Sequence, residues 1–188
     1  SGVEISLTGQ GEITNNLTIN LIGGYTYMDA IPLDPNEIYE ILDVPMWIDL
    51  DGDNILEEVS ELTYNNSSSN PSTLKYRYKH IAKLDVELIY KSISLGSSFR
   101  YNDFMSNIDR FFTEYYVGGD DGLIPGLNTA REEFKNGDLI IDVRSGYQYN
   151  EMIRFGIVVN NLLNREYMSR PADMKPPRTF SIQCNLKI

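Results

Sequence analysis

The sequence predicts an all-β chain, seven antiparallel strands of a transmembrane β-barrel, and three observations predict it. Seven stretches alternate apolar and polar residues, one face of each stretch is almost free of charge, and the connections between them alternate short and long. Side chains point to opposite faces of a strand in turn, so alternation over about ten residues gives a wall with one greasy side and one wet side. Membrane barrels join their strands by short periplasmic turns and longer extracellular loops. A soluble sandwich has no reason to keep that asymmetry.

The elements follow in order. Val3, Ile5, Leu7, Gly9 and Gly11 alternate with Glu4, Ser6, Thr8, Gln10 and Glu12. The cluster Thr14-Asn15-Asn16 turns the chain, and Leu17, Ile19, Leu21, Gly23, Tyr25 and Tyr27 carry the second strand. Residues 29–73 then lose the alternation, over a length that marks a functional loop. Asp34-Pro35-Asn36-Glu37 has a cap, a first-turn proline and an acid, and predicts a short helix over Pro35–Ile41. Asn65-Asn66-Ser67-Ser68-Ser69-Asn70-Pro71 predicts a flexible polar tip.

Alternation returns with Tyr76, Tyr78, His80, Ala82, Leu84, Val86, Leu88 and Tyr90 on one face, and Lys75, Arg77, Lys79, Lys83, Asp85 and Glu87 on the other. These charges are expected to line the lumen. A turn at Lys91-Ser92 leads into Ile93, Leu95, Ser97, Phe99 and Tyr101. The second long connection, 105–136, carries Gly118-Gly119-Asp120-Asp121-Gly122 and a helix around Gly126–Phe134 that Asn136-Gly137 stops. Leu139, Ile141, Val143, Ser145, Tyr147 and Tyr149 form the fifth strand, and Ile153, Phe155, Ile157 and Val159 the sixth. After a third connection, 164–177, Phe180, Ile182, Cys184, Leu186 and Ile188 share the apolar face of the closing strand. Tyrosines gather at both ends of the strands, as interfacial girdles would place them. His80 reads as a girdle residue rather than a ligand, and Cys184 as a small apolar side chain. Seven strands fall short of the even number, at least about eight, that closes a bacterial barrel, so the chain is expected to be the C-terminal part of a larger one.

Composition narrows the function. The net charge of −11 excludes the basic surface that a nucleic-acid partner needs. One histidine and one cysteine leave no Ser/His/Asp or Cys/His set, so the chain does not read as an enzyme. Residues 29–73 hold eleven Asp and Glu and no Lys or Arg, the equal of the whole net charge. Within them Asp49, Asp51, Asp53 and Glu57 place carboxylates at relative positions 1, 3, 5 and 9 around Gly52. Ca²⁺ takes about six to eight oxygens, and these four, lacking a basic neighbour in the loop, are candidate ligands for it. The spacing departs from the EF-hand and resembles the short D-x-D-G-D-x-x-x-D/E calcium loops of integrin-type β-propeller repeats.

Three further segments carry a family resemblance: Gly23-Gly24-Tyr25-Thr26-Tyr27, Ile124-Pro125-Gly126-Leu127 and Asp142-Val143-Arg144-Ser145-Gly146-Tyr147. With them go Val159-Asn160-Asn161-Leu162-Leu163-Asn164-Arg165-Glu166-Tyr167, Arg170-Pro171 and Pro176-Pro177-Arg178-Thr179-Phe180. In this order and spacing they resemble the C-terminal barrel region of TonB-dependent outer-membrane receptors, especially those of Bacteroidota. The terminal Ile188 departs from the aromatic end usual in that family. The resemblance implies a barrel of twenty-two strands in the bacterial outer membrane, in contact with its lipid and occluded by an N-terminal plug. It also implies energised import of a scarce small-molecule nutrient, siderophore-type or similar, through TonB. The competing expectation, from a different class, is a soluble, secreted, calcium-dependent β-sandwich binding module.

Overall fold

The computed structural model describes residues 1–50, 53, 55–114 and 124–187. Seven strands form one antiparallel sheet: β1 (Gly2–Thr14), β2 (Leu17–Met28), β5 (His80–Tyr90), β6 (Ile93–Asn102), β7 (Asp138–Gln148), β8 (Ile153–Asn160) and β9 (Thr179–Leu186). Their order in the sheet is their order in the chain, so every neighbour is joined to the next by a meander connection. The seven strands read from alternation are these seven. Ile188, the last residue expected in the closing strand, lies outside the described residues.

Register keeps each face continuous. Across the middle of the sheet Leu21 faces Val86, Leu88 faces Leu95, Val143 faces Val159 and Ile157 faces Ile182. One residue along, Asn20 faces Glu87, Lys83 faces Arg100 and Ser98 faces Asp142. Among the described residues nothing packs on the middle of the apolar face: Leu95 is 56% exposed, Ile157 52% and Ile182 86%. The two sheet residues that are buried, Ser94 and Ile140, lie on the polar face. The more covered face of this sheet is thus its polar one.

The polar face is tied laterally by charge. Arg144 on β7 crosses β6 to reach Asp85 on β5, with two bonds of 2.8 Å, and its Nε stands 3.7 Å from Glu87. Gly96 makes the crossing possible, because a Cβ there would sit 2.6 Å from the guanidinium. Arg100 binds Asp142 at 2.8 Å, and Ser98 donates to Asp85. A guanidinium and a carboxylate joined by two parallel bonds form the most directional of the ion pairs, and this one fixes the stagger of three strands.

The first long connection departs from expectation. Ile38–Ile48 is a strand, β3, paired with β4 (Glu57–Thr63) in a hairpin of its own. The helix read over Pro35–Ile41 is therefore replaced by one turn and a strand. Asp34 Oδ1 accepts the Asn36 N–H at 3.3 Å, which closes a single turn, and the Ile38, Tyr39, Ile41 and Val44 that follow favour an extended chain. The third wall strand begins at His80 rather than near Tyr76, because Tyr76 has a positive φ of 59° that interrupts the extension. Tyr76 and Tyr78 thus leave the girdle, and Lys75, Arg77 and Lys79 leave the expected lumen row. After the short helices α1 (Tyr64–Ser67) and α2 (Phe111–Glu114), the helix read around Gly126–Phe134 is present as α3 (Leu127–Glu133). Gly137, which follows it, has φ 78°, and a Cβ there would meet the Asn102 carbonyl oxygen at 2.4 Å.

Candidate functional site

All three long connections, 29–79, 103–137 and 161–178, leave the same end of the sheet, and they fold against one another. Their shared core is Met105, Ile108 and Leu127, with Tyr76, Tyr78, Phe112, Ile124 and Met168 packed around it. Each connection contributes at least one of these residues. The long connections are one packed cap rather than separate loops.

Asn107 joins the first connection to the second. Fully buried, it donates to the Tyr64 hydroxyl at 3.1 Å and to the Thr73 carbonyl at 2.6 Å, and it accepts from the Asn70 N–H at 3.0 Å. Beside it Asp109 takes Lys75 Nζ and the Tyr76 hydroxyl. Burial and this carboxylate push the Tyr76 phenol up to about 12. Tyr78 donates to the Ser169 carbonyl at 3.1 Å, and burial raises its phenol too, helped by the charges of Asp138 and Asp173. The 65–71 stretch, expected to be a flexible tip, is held by this network. α1 (Tyr64–Ser67) starts with a capping box between Thr63 and Asn66, and Ser68 is fully buried.

The acidic turn stands apart from that core. Glu57 Oε2 accepts the Leu50 N–H at 2.8 Å, and Asp53 Oδ1 accepts the Ile55 N–H at 2.8 Å. Arg110 comes from the second connection and donates one amino group to the carbonyls of Asp49 at 2.9 Å and Leu50 at 3.1 Å. The loop therefore has a basic neighbour, supplied from 61 residues away in sequence and invisible to local reading. Asp51, the second of the four candidate ligands, lies outside the described residues, as does Gly118-Gly119-Asp120-Asp121-Gly122. Among the described residues no three His, Cys, Asp or Glu side chains are gathered to hold a metal.

A cavity of about 110 Å³ opens between the second and third connections, bounded by Met105, Leu127, Arg131, Phe134, Asp138 and Met168. Arg165 binds Asp138 at 2.9 Å while lying over the Phe134 ring at 4.1 Å. Its place is set by Asn161, which holds the Arg165 N–H at 2.9 Å from a position with φ 50°. The wall residues singled out from sequence are also placed. His80 stands 2.8 Å from the Tyr25 hydroxyl with its ring 5.2 Å from that of Tyr27, inside the aromatic band. Cys184 is exposed on the apolar face opposite Phe155.

Sequence reading did not single out Asn107, Asp109 or Arg131. Arg131 lies in the helix that the sequence predicts, but the partners of all three are more than 25 residues away, so a local scan does not reach them. No family model matches the chain, and comparison with curated proteins finds no match.

Proposed function

We propose that the chain is part of the wall and the outward-facing cap of an outer-membrane β-barrel of the TonB-dependent receptor type, which imports a small nutrient. The observation that carries this reading is the inverted sheet. Strands of 8 to 13 residues present an uncovered apolar face, while the face with ion pairs is the more enclosed one. Strands of about 9–11 residues, tilted, cross a bilayer, and lipid is the solvent in which an apolar outer face is stable. The packed cap, on the side of every long connection, is where a receptor captures its cargo. A barrel also needs both outer strands, β1 and β9, to be paired, which further strands supply. The competing soluble sandwich would need a second sheet over Leu95, Ile157 and Ile182, and none is found among the described residues.

The 49–57 turn enters this reading as a proposed Ca²⁺ loop on the spacing of Asp49, Asp51, Asp53 and Glu57. Arg110 holds the start of this turn through the Asp49 and Leu50 carbonyls.

Protease added to intact cells that carry the protein tests the membrane reading. Cleavage within 29–79 or 161–178, with the turn at Asn150-Glu151 spared until the envelope is opened, is the expected result. Recovery of the protein as a detergent-free monomer, or equal cleavage of both sides, would overturn it.

A further inference from the structure

The cavity between the second and third connections is lined by a cation, Arg131, that has no acidic partner among the described residues. Leu127, Ala130, Arg131 and Phe134 bring one face of α3 to this cavity. The half-buried Arg131 guanidinium lies 4.7 Å from the centre of the Phe104 ring. Among the described residues that ring is its one directional partner, and burial is the sole influence lowering its pKa. Arg165, in the third connection, is built the same way over Phe134 but has Asp138 beside it. Asp138 is therefore already engaged. Asp103, the next acid on the lining, accepts the Phe104 N–H at 2.8 Å. Glu166 and Arg170, also on the lining, are exposed.

A guanidinium partly withdrawn from water and given no protein acceptor loses hydration, and the aromatic face returns only part of what that hydration supplied. A carboxylate brought from outside restores the missing bonds, and the planar fork of arginine binds it through two parallel ones. Size fixes the rest of the ligand. A cavity of about 150 Å³ lined by apolar side chains takes benzene, so one of about 110 Å³ that is open on one side takes a ring or a short branched chain. We propose that this cavity binds a small apolar-bodied carboxylate, aryl or branched-alkyl, with the carboxylate on Arg131 and the body among Met105, Leu127 and Met168. As a cargo site it rests on the receptor reading. As a binding site it stands on the cavity alone.

Benzoate, titrated calorimetrically into the purified full chain, is the probe, with benzyl alcohol as its uncharged counterpart. Benzoate is expected to bind, and Arg131→Gln to weaken it by about tenfold or more, as loss of charged hydrogen bonds does. Arg131→Lys, which keeps the charge and loses the fork, falls between the two. Met168→Trp fills the cavity and abolishes binding with Arg131 intact, so the test survives if Arg131→Gln fails to fold. No benzoate heat in the wild type, equal affinity in Arg131→Gln, or benzyl alcohol binding as well as benzoate would each overturn the proposal. A chain that is monomeric without detergent sinks the receptor reading, and the titration still decides the cavity.

Discussion

Replacing Asn107 with alanine removes its side-chain bonds to Tyr64, Ser69, Asn70 and Thr73 at once and leaves the Asn70 N–H facing a void. Unpaired buried groups cost about 1–3 kcal/mol each. Asn107→Ala should therefore release the 64–76 segment, read as faster proteolysis or amide exchange there, with exchange in β5 to β8 unchanged. Uniform loosening of the sheet would contradict the separation of cap from wall. Tyr76 gives a pH test of the same junction. Its phenol is held neutral in the folded cap, so the stability it contributes is complete below the ordinary value of 10 and is lost as pH rises through about 12. A spectrophotometric titration should show a step at about 12, and Tyr76→Phe should delete that step. Persistence of the late step in the variant would assign it elsewhere. None of this was legible in sequence. Asn107 and Tyr76 acquire their roles from partners 33 to 43 residues distant, and no spacing rule reaches that far.

Elements were legible where one rule governs them. Each wall strand alternates because one face meets one medium along its whole length, and that is a local signal. The β3–β4 hairpin escaped the same rule. Its register shifts between Ile38 and Glu40 and again between Ile41 and Met46, and a bulge resets which face each later side chain occupies. Asp34-Pro35-Asn36-Glu37 carries the chemistry of a helix start, and the strand partner Glu57–Thr63 decided against it. The hairpin also holds the turn whose carboxylates predict calcium. Calorimetry with Ca²⁺ on the wild type should give heat that Asp51→Ala abolishes. Equal heats in both, or none in either, would remove calcium from the account.

At the scale of the whole molecule, two environments meet in one chain. The wall has a polar face braced by Arg144, Asp85, Arg100 and Asp142, and an exposed apolar face of Leu, Ile, Val and Phe. The cap has the only interior of the ordinary kind among the described residues outside the hairpin, built on Met105, Ile108 and Leu127. Alternation and loop asymmetry predicted the first of these. The second is a product of three segments distant in sequence and became visible only when they were brought together. Which medium meets the apolar face is the central claim, and the depth of a single reporter measures it. With Trp47 replaced by Phe, tryptophan is introduced at Ile182 on the apolar face or at Gln183 on the polar face, and the protein is reconstituted in bilayers of brominated lipid. The account predicts strong quenching at position 182 and little at position 183. Equal quenching at both, or none at 182, would contradict it.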